Sequence, residues 1–160
     1  MTKLTKIYPV LILLISFTNF SCNQDQTDNQ IFRNISIGKY GTLELGEQFK
    51  SKDKLAIKIN GNIYQLRDHV FQGATSIIFH LNDNGMITMM RFEYDPGINY
   101  NDQVKMYTKI LGPSSQTHQS GSLKKAIWDD STTRFEYIKE SGKNKSLVYS
   151  TLYDKKLWKK

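Results

Sequence analysis

The sequence predicts an α+β domain, an antiparallel sheet of consecutive hairpins with one short helix packed on one face. Three observations carry that expectation. Two apolar-rich runs within residues 77–94 flank Asn84-Gly85, a dipeptide that accepts positive φ at both central positions of a type I′ turn. Between Asn101 and Gly112-Pro113, apolar residues recur at three- and four-residue spacing. The C-terminal third then runs through stretches of β-branched and aromatic residues separated by polar turns.

Residues 35–45 contain Gly38 and Gly41 and read as a strand or an irregular loop, ahead of the polar stretch 47–54. Residues 55–59 and 63–66 flank Asn60-Gly61-Asn62 and form a hairpin candidate. In the hairpin around Asn84-Gly85, a two-residue loop pairs Leu81 with Thr88, Phe79 with Met90 and Ile77 with Phe92. The face bearing Ile77, Phe79, Leu81, Met90 and Phe92 is then buried. The opposite face is mixed, since Ile78, Ile87 and Met89 share it with His80, Asn82, Arg91 and Glu93, so it is expected to be partly covered too.

Asn101 is the expected N-cap of the helix, Val104, Tyr107, Ile110 and Leu111 its apolar stripe, and Gly112-Pro113 its stop. A helix of about ten residues is marginal alone and has to pack on the sheet. Residues 114–122 read as a loop. Strands follow at 124–128, 133–139 and 147–153, with Asp129-Asp130-Ser131 and residues 141–144 as turns. Phe135 and Tyr137 fall at spacing two, as do Tyr149, Thr151 and Tyr153, which suits a pleated surface packed on one side.

The first residues address the protein rather than fold it. Lys3 and Lys6 precede a short apolar run over 7–17 that contains Pro9 and is too short to span a bilayer well, and the only cysteine of the chain, Cys22, follows Ser21. Asn19-Phe20-Ser21-Cys22 resembles the cleavage box of bacterial lipoproteins, although that box normally has an aliphatic residue where Asn19 stands. The resemblance implies a signal over 1–21, a diacylated Cys22 and an anchor in the cell envelope. Its Asn23, in a position where Asp retains enterobacterial lipoproteins in the inner membrane, implies the outer membrane, on its periplasmic or surface face. Two or three acyl chains hold a protein stably on a membrane, whereas one is marginal.

Residues 22–32 are expected to be the lipidated cysteine and a tether, because 23–30 carry no apolar residue to offset the entropy of ordering. Residues 33–155 then form one α+β domain and 156–160 a basic tail. The net charge is +7, but Lys and Arg are scattered and mixed with 15 acids, which together with export excludes a nucleic-acid partner. The one basic concentration is Lys155, Lys156, Lys159 and Lys160 around Leu157 and Trp158, a candidate contact with a membrane surface; a solvated tail is the simpler reading of the same residues.

The passage over 104–127, a short helix ending Leu111-Gly112-Pro113 and running through a loop into a strand, is similar to the helix-to-sheet passage of the small accessory lipoproteins of outer-membrane barrel assembly. The similarity implies a non-catalytic accessory role and assigns no site residue.

No chemistry-bearing constellation stands out. His69, His80 and His118 lack metal-ligand spacing, so no metal or other cofactor is expected. Asp83-Asn84-Gly85 lacks the closing Glu of a calcium loop and reads as a turn. Asp129-Asp130 is better explained as a polar turn than as a catalytic pair, since adjacent strand residues point to opposite faces. The serines over 114–122 lack a nucleophile elbow, and no catalytic residue is assigned. Most of the aromatic residues, nine of which among the whole chain are tyrosines, are expected in the core, with an exposed tyrosine patch on the sheet as a candidate surface for a protein or glycan. The sequence therefore points to a lipid-anchored binding or accessory module that is not an enzyme, with an envelope protein as its partner; the alternative is a small periplasmic hydrolase or carbohydrate-active enzyme.

Overall fold

The computed structural model describes residues 30–37, 41–49, 56–66 and 73–158. The leader, Cys22, most of the tether, His69, Lys159 and Lys160 lie outside them. Ten strands and one helix follow in the order β1 (Asn34–Ser36), β2 (Thr42–Glu44), β3 (Ala56–Asn60), β4 (Ile63–Leu66), β5 (Ala74–Leu81), β6 (Ile87–Tyr94), α1 (Tyr100–Leu111), β7 (Gln116–Ser120), β8 (Leu123–Asp129), β9 (Thr133–Ser141) and β10 (Ser146–Asp154). The architecture is α+β. Strands β1 and β2 pair with each other, and the other eight form one antiparallel sheet in the order β3-β4-β5-β6-β10-β9-β8-β7.

Two four-stranded meanders are thus joined through β6 and β10, with α1 carrying the chain from the centre of the sheet to its far edge. One face of the sheet holds the core. Ile77 and Phe79 of β5, Met90 and Phe92 of β6, Leu152 of β10 and Phe135 and Tyr137 of β9 are fully or almost fully buried there. Tyr107 of α1 lies against Phe135 (4.6 Å between ring centroids) and Trp128 (5.9 Å), while Phe32, just before β1, meets Phe135 from another side at 5.5 Å. Burial of such rings supplies most of the stabilisation, on the order of 2–3 kcal/mol for each one fully removed from water.

Most polar atoms inside this core are paired, the buried Tyr137 hydroxyl being an exception. Tyr94 Oη lies 2.8 Å from Tyr107 Oη and 2.9 Å from Ser150 Oγ, tying the helix to both central strands. The Trp128 indole N–H donates to the Gly112 carbonyl at 2.9 Å, which pins the end of α1 over β8. Gly112 has φ 78° and ψ −173°, a conformation that a side chain with a Cβ rarely adopts, so the helix stops there as the sequence predicts.

Several local expectations are corrected. The N-cap is Asn99, whose carboxamide oxygen accepts from the Asn101 and Asp102 amides, so the helix starts before Asn101 and brings Tyr100 against Tyr137 at 5.5 Å. Ile110 is 56% exposed; Val104, Tyr107 and Leu111 make the contact stripe instead. The β5–β6 loop has three residues, not two. Asn82 N–H donates to the Met86 carbonyl and the Asn82 carboxamide oxygen accepts from the Asn84 and Met86 amides, leaving Gly85 at φ 76° in the left-handed position that closes a three-residue hairpin loop. The resulting register shift pairs Leu81 with Ile87 rather than Thr88, while Phe79–Met90 and Ile77–Phe92 pair as expected. Residues 116–120, read as loop, are an edge strand exposed along its whole length, invisible in the sequence because Gln-Thr-His-Gln-Ser has no apolar residue to mark a period.

The segment before β1 is stapled to the sheet by two aspartates. Asp130 accepts the Ile31 amide at 2.8 Å as well as the Thr132 and Thr133 amides, and Ile31 is only 2% exposed, so packing reaches into the end of the segment read as tether. Arg33 pairs with Asp154 and donates to Thr133 Oγ1 at 2.8 Å. Burial pushes both carboxyls up, but backbone amides at Asp130, and Arg33 with backbone amides at Asp154, outweigh it and hold both below the ordinary carboxylate value.

Two outcomes are expected. Asp130→Ala leaves buried amides without an acceptor and should cost about 2–4 kcal/mol, read as a lower urea midpoint at unchanged slope; an unchanged midpoint contradicts the stapling role. Because the folded carboxyls sit below their unfolded values, the unfolded chain takes up protons first. The stabilisation is complete above about pH 4 and disappears as pH falls through the folded values, so Asp154→Asn should flatten the acid limb of a stability-against-pH curve.

Candidate functional site

The strand registers place a second set of side chains on the face opposite the core. Across the sheet from β4 to β7, one row runs Gln65, Ile78, Arg91, Thr151, Glu136, Ile127 and Gln116. A neighbouring row runs Ile63, His80, Met89, Tyr153, Arg134 and Asp129, and on the other side lie Ser76, Glu93, Tyr149, Ile138, Lys125 and His118. Neither α1 nor the β1–β2 pair lies on this face, since their contacts are with the core rings. Among the described residues no helix or strand is stacked on it, and only at His80 does the C-terminal turn reach it through Trp158; it is termed the open face.

Tyrosines and paired charges occupy its middle. The Arg91 guanidinium stands 4.0 Å from the Tyr149 ring centroid and 3.2 Å from Glu93, while its Nε is buried with no hydrogen-bond partner. Tyr149 donates to Glu140 at 2.8 Å, and Tyr153 to Glu136 at 3.3 Å. Burial, then the bond to Glu140, pushes the Tyr149 phenol up to about 12; burial and Glu136 raise Tyr153 too. Both are neutral donors at physiological pH.

Towards β8 the charges neutralise one another. Glu136 pairs with Lys125 at 2.8 Å, Arg134 with Asp129 at 2.7 Å, and Lys155 Nζ lies 3.0 Å from Asp129 and donates to the Asp130 carbonyl at 2.7 Å. Burial raises the Asp129 carboxyl, but Arg134 and Lys155 outweigh it and keep it ionised well below the ordinary range. Asp129 and Asp130 therefore diverge: one faces the open surface in an ion-pair network, the other the Ile31 amide, as strand alternation requires.

The C-terminal candidates are divided by the structure. After β10, the Asp154 carboxylate accepts the Lys156 and Leu157 amides and the chain turns, so Trp158 stands edge-on to His80 with 5.3 Å between centroids. Lys155 is committed to Asp129 and Asp130, and Lys156 is exposed. A cavity of about 470 Å³ lies between this turn and the β5–β6 loop, lined among others by His80, Asn82, Asp83, Lys156 and Trp158. Burial first, and the Arg91 charge second, lower the His80 pKa. His118 is exposed on β7, and among the described residues no three His, Cys, Asp or Glu groups converge as metal ligands do. No described helix is long and apolar enough to cross a membrane.

Sequence reasoning singled out the Tyr149, Thr151, Tyr153 alternation but not the residue beside it. Arg91 meets Tyr149 only because β10 docks on β6, a pairing between strands more than fifty residues apart in the chain that no local pattern encodes. Comparison of the chain with protein-family models, with curated proteins and with solved structures finds no match.

His80 offers a direct check of the open face. Its neutral form is favoured in the fold, so its stabilising contribution is present above the unfolded value near 6.5 and is lost as pH falls below it. Nuclear magnetic resonance should find His80 titrating below 6.5 and moving upward in Arg91→Gln, which removes the second cause but not the first. A value above 6.5 in the unsubstituted protein contradicts the described environment.

Proposed function

We propose that the protein is a lipid-anchored module of the bacterial envelope, held at Cys22 and delivered by the leader over 1–21, that binds another envelope protein through the open face of its sheet without catalysing a reaction. One observation supports the reading above all others. Tyr149 and Tyr153 stand, half-buried, in the middle of a face on which no described helix or strand is stacked, beside the Arg91 guanidinium. Tyr and Arg are the residue types that protein interfaces favour, because each brings apolar area together with a directional donor.

The charges of the face fit the same reading. Lys125, Arg134 and Lys155 are matched by Asp129 and Glu136, and Arg91 by Glu93, so the surface presents little net field to steer an ion or an anionic polymer. Ionised carboxylates tied to cations are poor general acids. Anchoring at the membrane would raise the local concentration of a partner in the same leaflet, so a modest interface suffices. The outer membrane, with the domain on its periplasmic or surface side, is the address that Asn23 supports.

The test is crosslinking and co-purification from intact cells with the full chain and with a Tyr149→Ala, Tyr153→Ala double variant. A discrete envelope protein should be recovered with the unsubstituted chain and fall at least roughly tenfold with the variant, as for an interface whose anchors are removed. Recovery of no envelope partner, together with turnover of a peptidoglycan or glycan substrate, overturns the reading in favour of a hydrolase.

A further inference from the structure

The two edges of the eight-stranded sheet differ in chemistry. Strand β7 shows solvent only Gln, Thr, His and Ser, whereas β3 carries Ile57 at 44% and Ile59 at 52% exposure, two of the most exposed large apolar residues described. Ile57 pairs with Gln65, which pairs with Ile78, so it belongs to the open face, and Ile59 lies two residues further along the strand. The register shift between Lys58 and Asn60 sits at the turn end of the strand and leaves Ala56 to Lys58 in regular pairing with β4. An edge strand has one side of its backbone donors and acceptors unpaired, and it recruits another strand when apolar side chains flank that row.

Lys58 decides what kind of strand fits. It lies between the two isoleucines in sequence and on the face opposite Ile57, with Nζ 6.0 Å from the Tyr64 centroid, and forms no ion pair among the described residues. If two copies of β3 paired antiparallel with full overlap, Lys58 would face its own symmetry mate. Like charges directly opposite are destabilising, and other registers shorten an already five-residue ladder. An acid in that position gains what a lysine loses.

We infer that β3 is a docking edge for an extended segment of another protein, one that places β-branched apolar residues beside Ile57 and Ile59 and an acidic residue opposite Lys58. The segment would become a ninth strand of the sheet, its backbone supplying the hydrogen bonds and its apolar side chains extending the Ile57, Gln65, Ile78 row of the open face. This surface is separate from the Tyr149 and Tyr153 region, which lies on the far side of β4, β5 and β6.

The experiment titrates the isotope-labelled protein with two blocked peptides, Thr-Val-Glu-Val-Thr and Thr-Val-Lys-Val-Thr, while following amide shifts and hydrogen exchange. The Glu peptide should protect amides within 56–60 and bind roughly fivefold more tightly than the Lys peptide, and Lys58→Glu should reverse that order. A preference that reverses cannot come from loss of folding. Tyr149→Ala with Tyr153→Ala should leave the titration unchanged, which separates this inference from the open-face reading. Absence of protection with either peptide, an order unaffected by Lys58→Glu, or concentration-dependent self-association that protects 56–60 without peptide overturns the proposal.

Discussion

The pairing of β10 with β6 is the constraint on which the rest of the structure depends. Without it the eight strands fall into two separate four-stranded meanders, and the contact of the Tyr94 ring with Tyr137 at 5.7 Å, which spans them, is lost. With it, Ser150 of β10 comes under Tyr94 of β6, and the pair receives the hydroxyl of Tyr107 from the helix, so three distant segments share one buried cluster. The same ladder sets Tyr149 beside Arg91 on the other face. Core and candidate surface therefore arise from one register, and a slip of a single residue would exchange them.

Covering is asymmetric. The core face is closed by α1 over Trp128, Phe135 and Tyr137 and by the β1–β2 region through Ile31, Phe32, Ile35 and Leu45, whereas the opposite face shields its apolar residues with its own charged and tyrosyl neighbours. Ile127, Met89 and Ile138 are 6–8% exposed there although no described helix or strand is stacked on them. Lys125, Arg134 and Arg91 share this surface and pair their heads with its carboxylates. Such a face would meet the proposed partner already ordered, which would reduce the entropy lost on binding.

Much of this architecture was legible in the chain, for reasons that differ by segment. The helix stop at Gly112-Pro113 and the turn at Asn84-Gly85 are local and chemical, so they read directly. The Phe79–Met90 and Ile77–Phe92 pairs follow from the apolar alternation even though the loop length between them did not. Asn99 and Asn101 are equally good caps by type, and only packing of Tyr100 on Tyr137 separates them. Strand β7 and the short strands β1 and β2 carry too little pattern to mark themselves. Tyr149, Thr151 and Tyr153 announced a one-sided strand, yet which side faces outward is a property of the strands next to it.

The open face is tested most directly by placing a photocrosslinking side chain at Thr151, in its centre, and separately at Lys105, exposed on the helix that closes the other side. In intact cells, illumination should give a discrete adduct of defined mass from position 151 and none from position 105. An adduct from 105 alone, or none from 151, would contradict the account.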